Sequence, residues 1–111
     1  MTKKKILLDL DGVLNLYDGN YDEKYIPALN NKAIDFIKNI SKTYNVVIFT
    51  SRNLLLASKW IIYNKIDKYI TNITNIKEAS YLIVDDRCIN FNGDFEKLQK
   101  DIENFKVWYK K

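Results

Sequence analysis

The chain has 111 residues, 47% hydrophobic and 29% charged, with a formal net charge of +4, which suits one small domain around a single core. No stretch approaches the roughly 18 apolar residues of a membrane span, and the apolar run after Lys3, Lys4 and Lys5 is too short for a signal peptide. One cysteine, Cys88, forms no internal disulfide and fits a reducing cytoplasm, and the lack of histidine excludes His-based zinc sites and every Ser-His or Cys-His nucleophile.

Residues 5–10 (KILLDL) read as a fully buried strand that runs into Asp9 and Asp11, with Gly12 next. Aspartate is a poor strand former and costly to bury unpaired, so two of them at a strand end need a reason. Residues 15–29 hold turn residues, tyrosines and the single proline, Pro27, and read as a flap. Residues 30–44 form a helix with Ala33, Ile37, Ile40 and Tyr44 on one face, capped by Asn30 or Asn31. Residues 45–50 (NVVIFT) are a second buried strand. Residues 54–65 form a second helix with Leu54, Ala57, Trp60 and Ile61 inward, and 68–71 (KYIT) a short third strand. Residues 81–86 (YLIVDD) are a fourth apolar strand, again ending in paired aspartates. Residues 93–105 form a third helix with Asp94 as N-cap and Phe95, Leu98, Ile102 and Phe105 inward, and 106–109 (KVWY) a last edge strand.

Strands alternate with helices, and the main strands are continuously apolar. That pattern predicts an α/β fold: a mainly parallel sheet in a three-layer, Rossmann-like arrangement with helices on both faces and right-handed crossovers. Residues 1–111 form a single domain. Ligands of such sheets bind beyond the carboxyl ends of the strands. Those ends are Asp9-Leu10-Asp11, Thr50-Ser51-Arg52 and Asp85-Asp86-Arg87, and they hold both arginines of the chain.

Aspartates from two strands meet at this edge, where uncompensated carboxylates would repel and shift one another's pKa. A hard divalent cation resolves the conflict. Mg²⁺ takes oxygen ligands and typically combines one or two carboxylates with substrate phosphate, so the cluster implies Mg²⁺ and a phosphorylated substrate. Thr50, Ser51 and Lys77 are donors suited to phosphoryl oxygens. An aspartate can act as nucleophile, and one two residues on can handle the proton. Each group also has a structural reading. Thr50 or Ser51 could cap the second helix, and Lys77 could be a plain surface lysine. Arg52 and Arg87 could pair with the aspartates. Tyr17, Tyr21 and Tyr25 could pack the flap or stack on a substrate ring. Trp60 and Trp108 read as packing residues, and Cys88 as a small buried one.

With these residues in place, the chain resembles the haloacid dehalogenase-like superfamily of phosphohydrolases. Asp9-Leu10-Asp11-Gly12-Val13-Leu14 is similar to its first motif, the strand ending in Thr50 to its second, and Asp85-Asp86 to its fourth in the double-aspartate form. The third motif is a lone lysine. Lys77 has the spacing to Asp85 found in small capless members, with Lys65 and Lys68 as alternatives. The likeness runs over roughly residues 5–105. It implies Asp9 as nucleophile and metal ligand, and Asp11 as general acid/base with its carbonyl on the metal. It further implies Thr50 on the phosphoryl group, Lys77 neutralising phosphate and nucleophile, and Asp85 and Asp86 at the metal. Gly12 would allow the tight turn after the nucleophile strand. Ser51 and Arg52 extend the phosphate-binding set. Most members carry an inserted cap domain, for which neither 15–29 nor the stretch between the third and fourth strands leaves room.

The expected function is a Mg²⁺-dependent phosphomonoester hydrolase working through an aspartyl-phosphate, on a small phosphorylated metabolite or nucleotide. A phosphorylated nucleic-acid end is the alternative substrate. A phosphoacceptor signalling module and a binding module without catalysis are the alternatives from other classes. The expected setting is cytoplasmic and away from membranes, as a monomer or small homo-oligomer. The lysines are scattered along the chain and read as a solvated surface rather than a nucleic-acid footprint.

Overall fold

Four apolar runs become four parallel strands. The computed structural model describes residues 2–110. In chain order it contains β1 (Lys4–Asp9), α1 (Ala33–Ile40), β2 (Tyr44–Phe49), α2 (Leu54–Tyr63), β3 (Asn72–Thr74), β4 (Leu82–Val84) and α3 (Phe95–Glu103), with 3-10 turns at Asp67–Tyr69 and Trp108–Lys110. The sheet order is β3-β2-β1-β4, and every pair is parallel. This is the expected α/β, Rossmann-like arrangement.

Alternation along the strands sorts their side chains onto two faces. Ile6 and Leu8 of β1 and Val46 and Ile48 of β2 pack with Ala33 and Ile37 of α1 and Ala57, Trp60 and Ile61 of α2 in one core cluster. Each such aliphatic side chain contributes about 1.5–3 kcal/mol by leaving water. Leu7 and Val47 alternate to the opposite face and are equally buried, and Val107 is buried outside the main cluster too. Asn53, rather than Thr50 or Ser51, caps α2 by accepting from the Leu56 N–H at 3.1 Å. Asp94 caps α3 as expected, accepting from the Lys97 N–H. The residue before α1 is Lys32, and the Asn30 side chain accepts from its N–H instead of capping the helix directly.

Several expectations change. The first helix ends at Ile40 rather than 44, so that Tyr44 opens β2, and Leu54 at the start of α2 is exposed rather than inward. The third strand lies at Asn72–Thr74, not 68–71. Lys65 takes a left-handed φ of 59° after α2, and the 3-10 turn over Asp67–Tyr69 uses up the residues read as strand. Residues 106–109 do not form an edge strand, because Trp108–Lys110 wind into a 3-10 turn whose aromatic side chains bond elsewhere. The apolar stripe of α3 is not inward: no residue of this helix is buried, and Phe95 and Ile102 are 74% and 60% exposed. Leu98, Ile102 and Phe105 line a groove of about 450 Å³ with Arg87, Cys88 and Ile89. Cys88 is exposed rather than buried.

The chain moves from β1 outward to β2 and β3, then returns to the far side of β1 for β4. The direction of winding therefore reverses between β1 and β4. Parallel sheets open a crevice at such a point, beyond the strands' carboxyl ends. The connection from β1 to α1 forms the flap. Its base is closed by the Leu16 N–H on the Ala28 carbonyl and the Asn30 N–H on the Leu14 carbonyl, by the Asn15–Leu29 bridge, and by the Trp60 indole N–H donating to Pro27 O at 3.1 Å.

Core and α3 differ in what a truncation costs. Leu8→Ala is expected to lower unfolding free energy by about 2–5 kcal/mol in a urea titration. Phe95→Ser is expected to stay within about 0.5 kcal/mol of wild type. A large loss from Phe95→Ser in dilute monomer would contradict its exposed position.

Candidate functional site

The register aligns Leu8 of β1 with Val84 of β4, so Asp9 and Asp85 leave adjacent strands at the same height. One carboxylate oxygen from each of Asp9, Asp85 and Asp86 lies within 4.8 Å of the others. They line a cleft of about 260 Å³ together with Asp11, Thr50, Ser51, Arg87 and the flap tyrosines Tyr17 and Tyr21. The structure thus brings together most of the residues singled out in the sequence. Lys77 is the exception: it is exposed and outside the lining of the cleft. Lys65 and Lys68 are outside it as well. Among the described residues, Arg87 is the single cation on its wall.

Three carboxylates this close cannot all be charged cheaply. Asp9 bears the conflict. Its pKa is raised to about 9, first by burial, then by the side-chain hydrogen bond to Asp86 and the charges of Asp85 and Asp86; the Leu10 N–H opposes the rise only in part. Asp9 therefore holds a proton at neutral pH unless a cation replaces it. The donors are all hard oxygens, with no sulfur or imidazole in the set. That chemistry fits Mg²⁺, which would lie against Asp9, Asp85 and Asp86.

The Asp11 carboxylate is not part of this group. Arg52 donates to both its oxygens, from Nε at 2.7 Å and Nη2 at 3.0 Å, and Asn15 Nδ2 donates at 3.0 Å. Arg52 is only 2% exposed, and its Nη1 goes to the Asp22 carbonyl at 2.8 Å. Its guanidinium is thus engaged with an aspartate and the flap rather than open to a phosphate in the cleft. Thr50 is buried at the end of β2, where its N–H donates to the Thr74 carbonyl and its hydroxyl oxygen accepts from the Arg52 N–H at 3.1 Å. Its hydroxyl proton can still be donated elsewhere. Ser51 is exposed at the rim.

Gly12 has φ of 83°, and a Cβ there would lie 2.2 Å from Asp86 Oδ2. Glycine is needed here both for the backbone conformation and for the approach of Asp86. Against this turn sits the end of the chain. The Trp108 indole N–H donates to the Gly12 carbonyl at 2.8 Å, and the Tyr109 hydroxyl donates to Asp86 Oδ2 at 3.0 Å. Burial and the Asp86 carboxylate raise the Tyr109 pKa, so the phenol keeps its proton and remains a donor. The Tyr109 ring meets Tyr17 edge to face at 6.0 Å. Asn15, Trp108 and Tyr109 were not among the expected site residues. Their part depends on contacts up to 96 positions apart, and the spacing of Asn15 four residues after Asp11 is the one local sign.

No family model matches the chain, and no curated protein matches it. Among solved structures it is similar to a conserved protein from Bacteroides thetaiotaomicron, with a TM-score of 0.61 over 96% of this chain and 95% of that one, at 15% identity. At that identity the likeness is one of fold, and it extends nearly end to end. No helix among the described residues is long and apolar enough to cross a membrane.

The acidic cluster carries a definite pH signature. Asp9 loses its proton near 3.8 when unfolded but only at about 9 when folded. Between these values the unfolded state binds fewer protons, so rising pH favours unfolding. The Asp9 contribution to stability is present below the lower value and is lost as pH rises through that window. Thermal melts in chelator should therefore show wild type falling below Asp9→Asn between pH 5 and pH 9, each pH being a chosen test condition within about that range. Mg²⁺ should recover wild type and not the variant. Parallel profiles for the two proteins would contradict the cluster. Separately, Tyr109→Phe should weaken Mg²⁺ binding by about 10–100-fold in titration calorimetry, as loss of a ligand's supporting hydrogen bond does.

Proposed function

We propose that this chain is a Mg²⁺-dependent phosphomonoester hydrolase of the haloacid dehalogenase-like type, acting on a small phosphorylated metabolite or nucleotide. The observation that carries the reading is the meeting of Asp9, Asp85 and Asp86 in the cleft that also holds Asp11 and Thr50. The order of the motifs along the chain and the Rossmann-like fold support it. When bound, Mg²⁺ would neutralise the cluster and offset charge on the phosphate.

The chain's own residues supply the rest. Asp9 Oδ attacks phosphorus, the bond from phosphorus to the leaving oxygen breaks, and Asp11 gives that oxygen a proton. Water then attacks the aspartyl-phosphate, Asp11 takes its proton, and Asp9 is released as carboxylate with inorganic phosphate. Thr50 donates its hydroxyl to a phosphoryl oxygen, and Ser51 at the rim can do the same. Arg87 is the cation placed to meet phosphate, and the resemblance assigns that task to Lys77. Hydrolysis by a chain of this kind would take place in a cleft bounded by the flap and the C-terminal turn.

Release of p-nitrophenol from p-nitrophenyl phosphate should require Mg²⁺ and fall by at least about a thousandfold in Asp9→Asn. A panel of phosphorylated metabolites, nucleotides and 3′- or 5′-phosphorylated oligonucleotides then identifies the substrate. Preference for the oligonucleotides would select the end-phosphatase alternative. Inactivity of wild type across the panel, with Mg²⁺ bound, would overturn the reading.

A further inference from the structure

Both residues that hold the Asp11 carboxylate also hold the flap. Arg52 grips Asp11 through Nε and Nη2, grips the flap at the Asp22 carbonyl through Nη1, and stacks beneath the Tyr21 ring with its Cζ 4.7 Å from the centroid. Asn15, 1% exposed, donates to Asp11 through Nδ2, while its Oδ1 accepts from the N–H groups of Gly12 at 3.2 Å and Tyr17 at 3.1 Å. Tyr17 and Tyr21 are themselves on the cleft wall.

A buried guanidinium is tolerated only with its charge and donors satisfied. Arg52 meets that demand by bridging two parts of the chain, 41 and 30 residues away. Moving the flap outward strands Nη1 without the Asp22 carbonyl. Turning Asp11 toward the phosphate breaks a bidentate pair. The two movements disturb the same group, so each lowers the cost of the other. Three acceptor positions on Asp11 are filled, two on Oδ1 and one on Oδ2, and a carboxylate has about four. Oδ2 keeps one position for a proton in transit.

We propose that Arg52 and Asn15 are positioning residues that make the orientation of the Asp11 carboxylate depend on the flap, so that a leaving group touching Tyr17 and Tyr21 governs its own protonation. The role of Asp11 in proton transfer rests on the phosphatase reading, whereas its coupling to the flap does not. The proposal also accounts for an arginine at this place. Lysine, a point charge on a flexible stem, cannot hold both oxygens of Asp11 and the Asp22 carbonyl together.

Two measurements test it. The first is amide exchange at Tyr17, Lys24 and Tyr25 in Arg52→Lys and in Asp11→Ala, each checked for folding by circular dichroism. Exchange at these amides should quicken about tenfold or more in both, a change of about 1.4 kcal/mol in local opening. Asp11→Ala serves if loss of the buried arginine prevents folding, because the side-chain hydrogen bonds of Asp11 run to Arg52 and Asn15. Unchanged exchange in a folded variant would overturn the coupling. The second compares kcat for p-nitrophenyl phosphate, whose leaving group needs little protonation, with kcat for glycerol 2-phosphate, whose leaving group needs it fully. Arg52→Lys and Tyr21→Ala should lose about a hundredfold on glycerol 2-phosphate and only severalfold on p-nitrophenyl phosphate. Equal losses on both would indicate general damage and overturn the positioning role. If wild type hydrolyses neither of these esters nor any member of the phosphomonoester panel, the phosphatase reading fails, and the exchange measurement still decides the coupling; if it hydrolyses only a panel member, that ester takes the place of glycerol 2-phosphate in the comparison.

Discussion

The mutual repulsion of Asp9, Asp85 and Asp86 is the constraint around which this edge of the molecule is built. Parallel pairing of β1 with β4 holds them together, because the register that sets buried Leu7 beside half-buried Ile83 and Leu8 beside Val84 brings the following carboxylates side by side. A sheet of this kind gains its stability from the apolar strands and concentrates the strain of unpaired charge at their ends. Burial first, and then the neighbouring Asp86 and Asp85, raise the pKa of Asp9. Strongly perturbed carboxylates are enriched at functional sites, and the all-oxygen set of Asp9, Asp85 and Asp86 would suit a hard cation.

Asp11 shows the contrasting solution. Two residues after Asp9, it avoids the cluster by turning to a buried arginine and to Asn15. Neighbouring acids in one loop therefore have opposite surroundings: Asp9 lacks a cation, whereas Asp11 has one at 2.7 Å. This division parts the two carboxylates chemically. One is positioned among oxygens where a metal and a phosphorus atom could be met, and the other is steadied among donors beside the flap. Environment rather than residue type separates nucleophile from acid/base in the proposed reaction.

Much of this was legible in the sequence, and the remainder was hidden for identifiable reasons. Ile6, Leu7, Leu8, Val46, Val47 and Ile48 read as buried because a continuous apolar run between polar ends suits a covered parallel strand. The acidic strand ends read as one site because parallel strands all point their carboxyl ends the same way. The stripe of α3 misled, because a period of 3.6 tells which of Phe95, Leu98, Ile102 and Phe105 share a face and not whether that face finds a partner. The displaced third strand followed from the left-handed Lys65, a conformation that lysine does not advertise. Tyr109 and Trp108 carried no local signal, since their value lies in reaching Asp86 and Gly12 across the fold.

The short connections of this chain place an unusual demand on these late-arriving aromatics. Without a long insertion between β1 and α1 or between β3 and β4, few groups remain to shield the cleft. The flap offers Tyr17 and Tyr21, and the C-terminal turn offers Tyr109, which meets Tyr17 edge to face and holds Asp86 by its hydroxyl. Tyr17 is tied by its backbone to Asn15 and by its ring to Tyr109, so it connects the surroundings of Asp11 with those of Asp86. The rings that fix the flap against the 3-10 turn thus stand beside carboxylates that are themselves only half-buried, so the acidic edge stays partly open to solvent next to an aromatic wall.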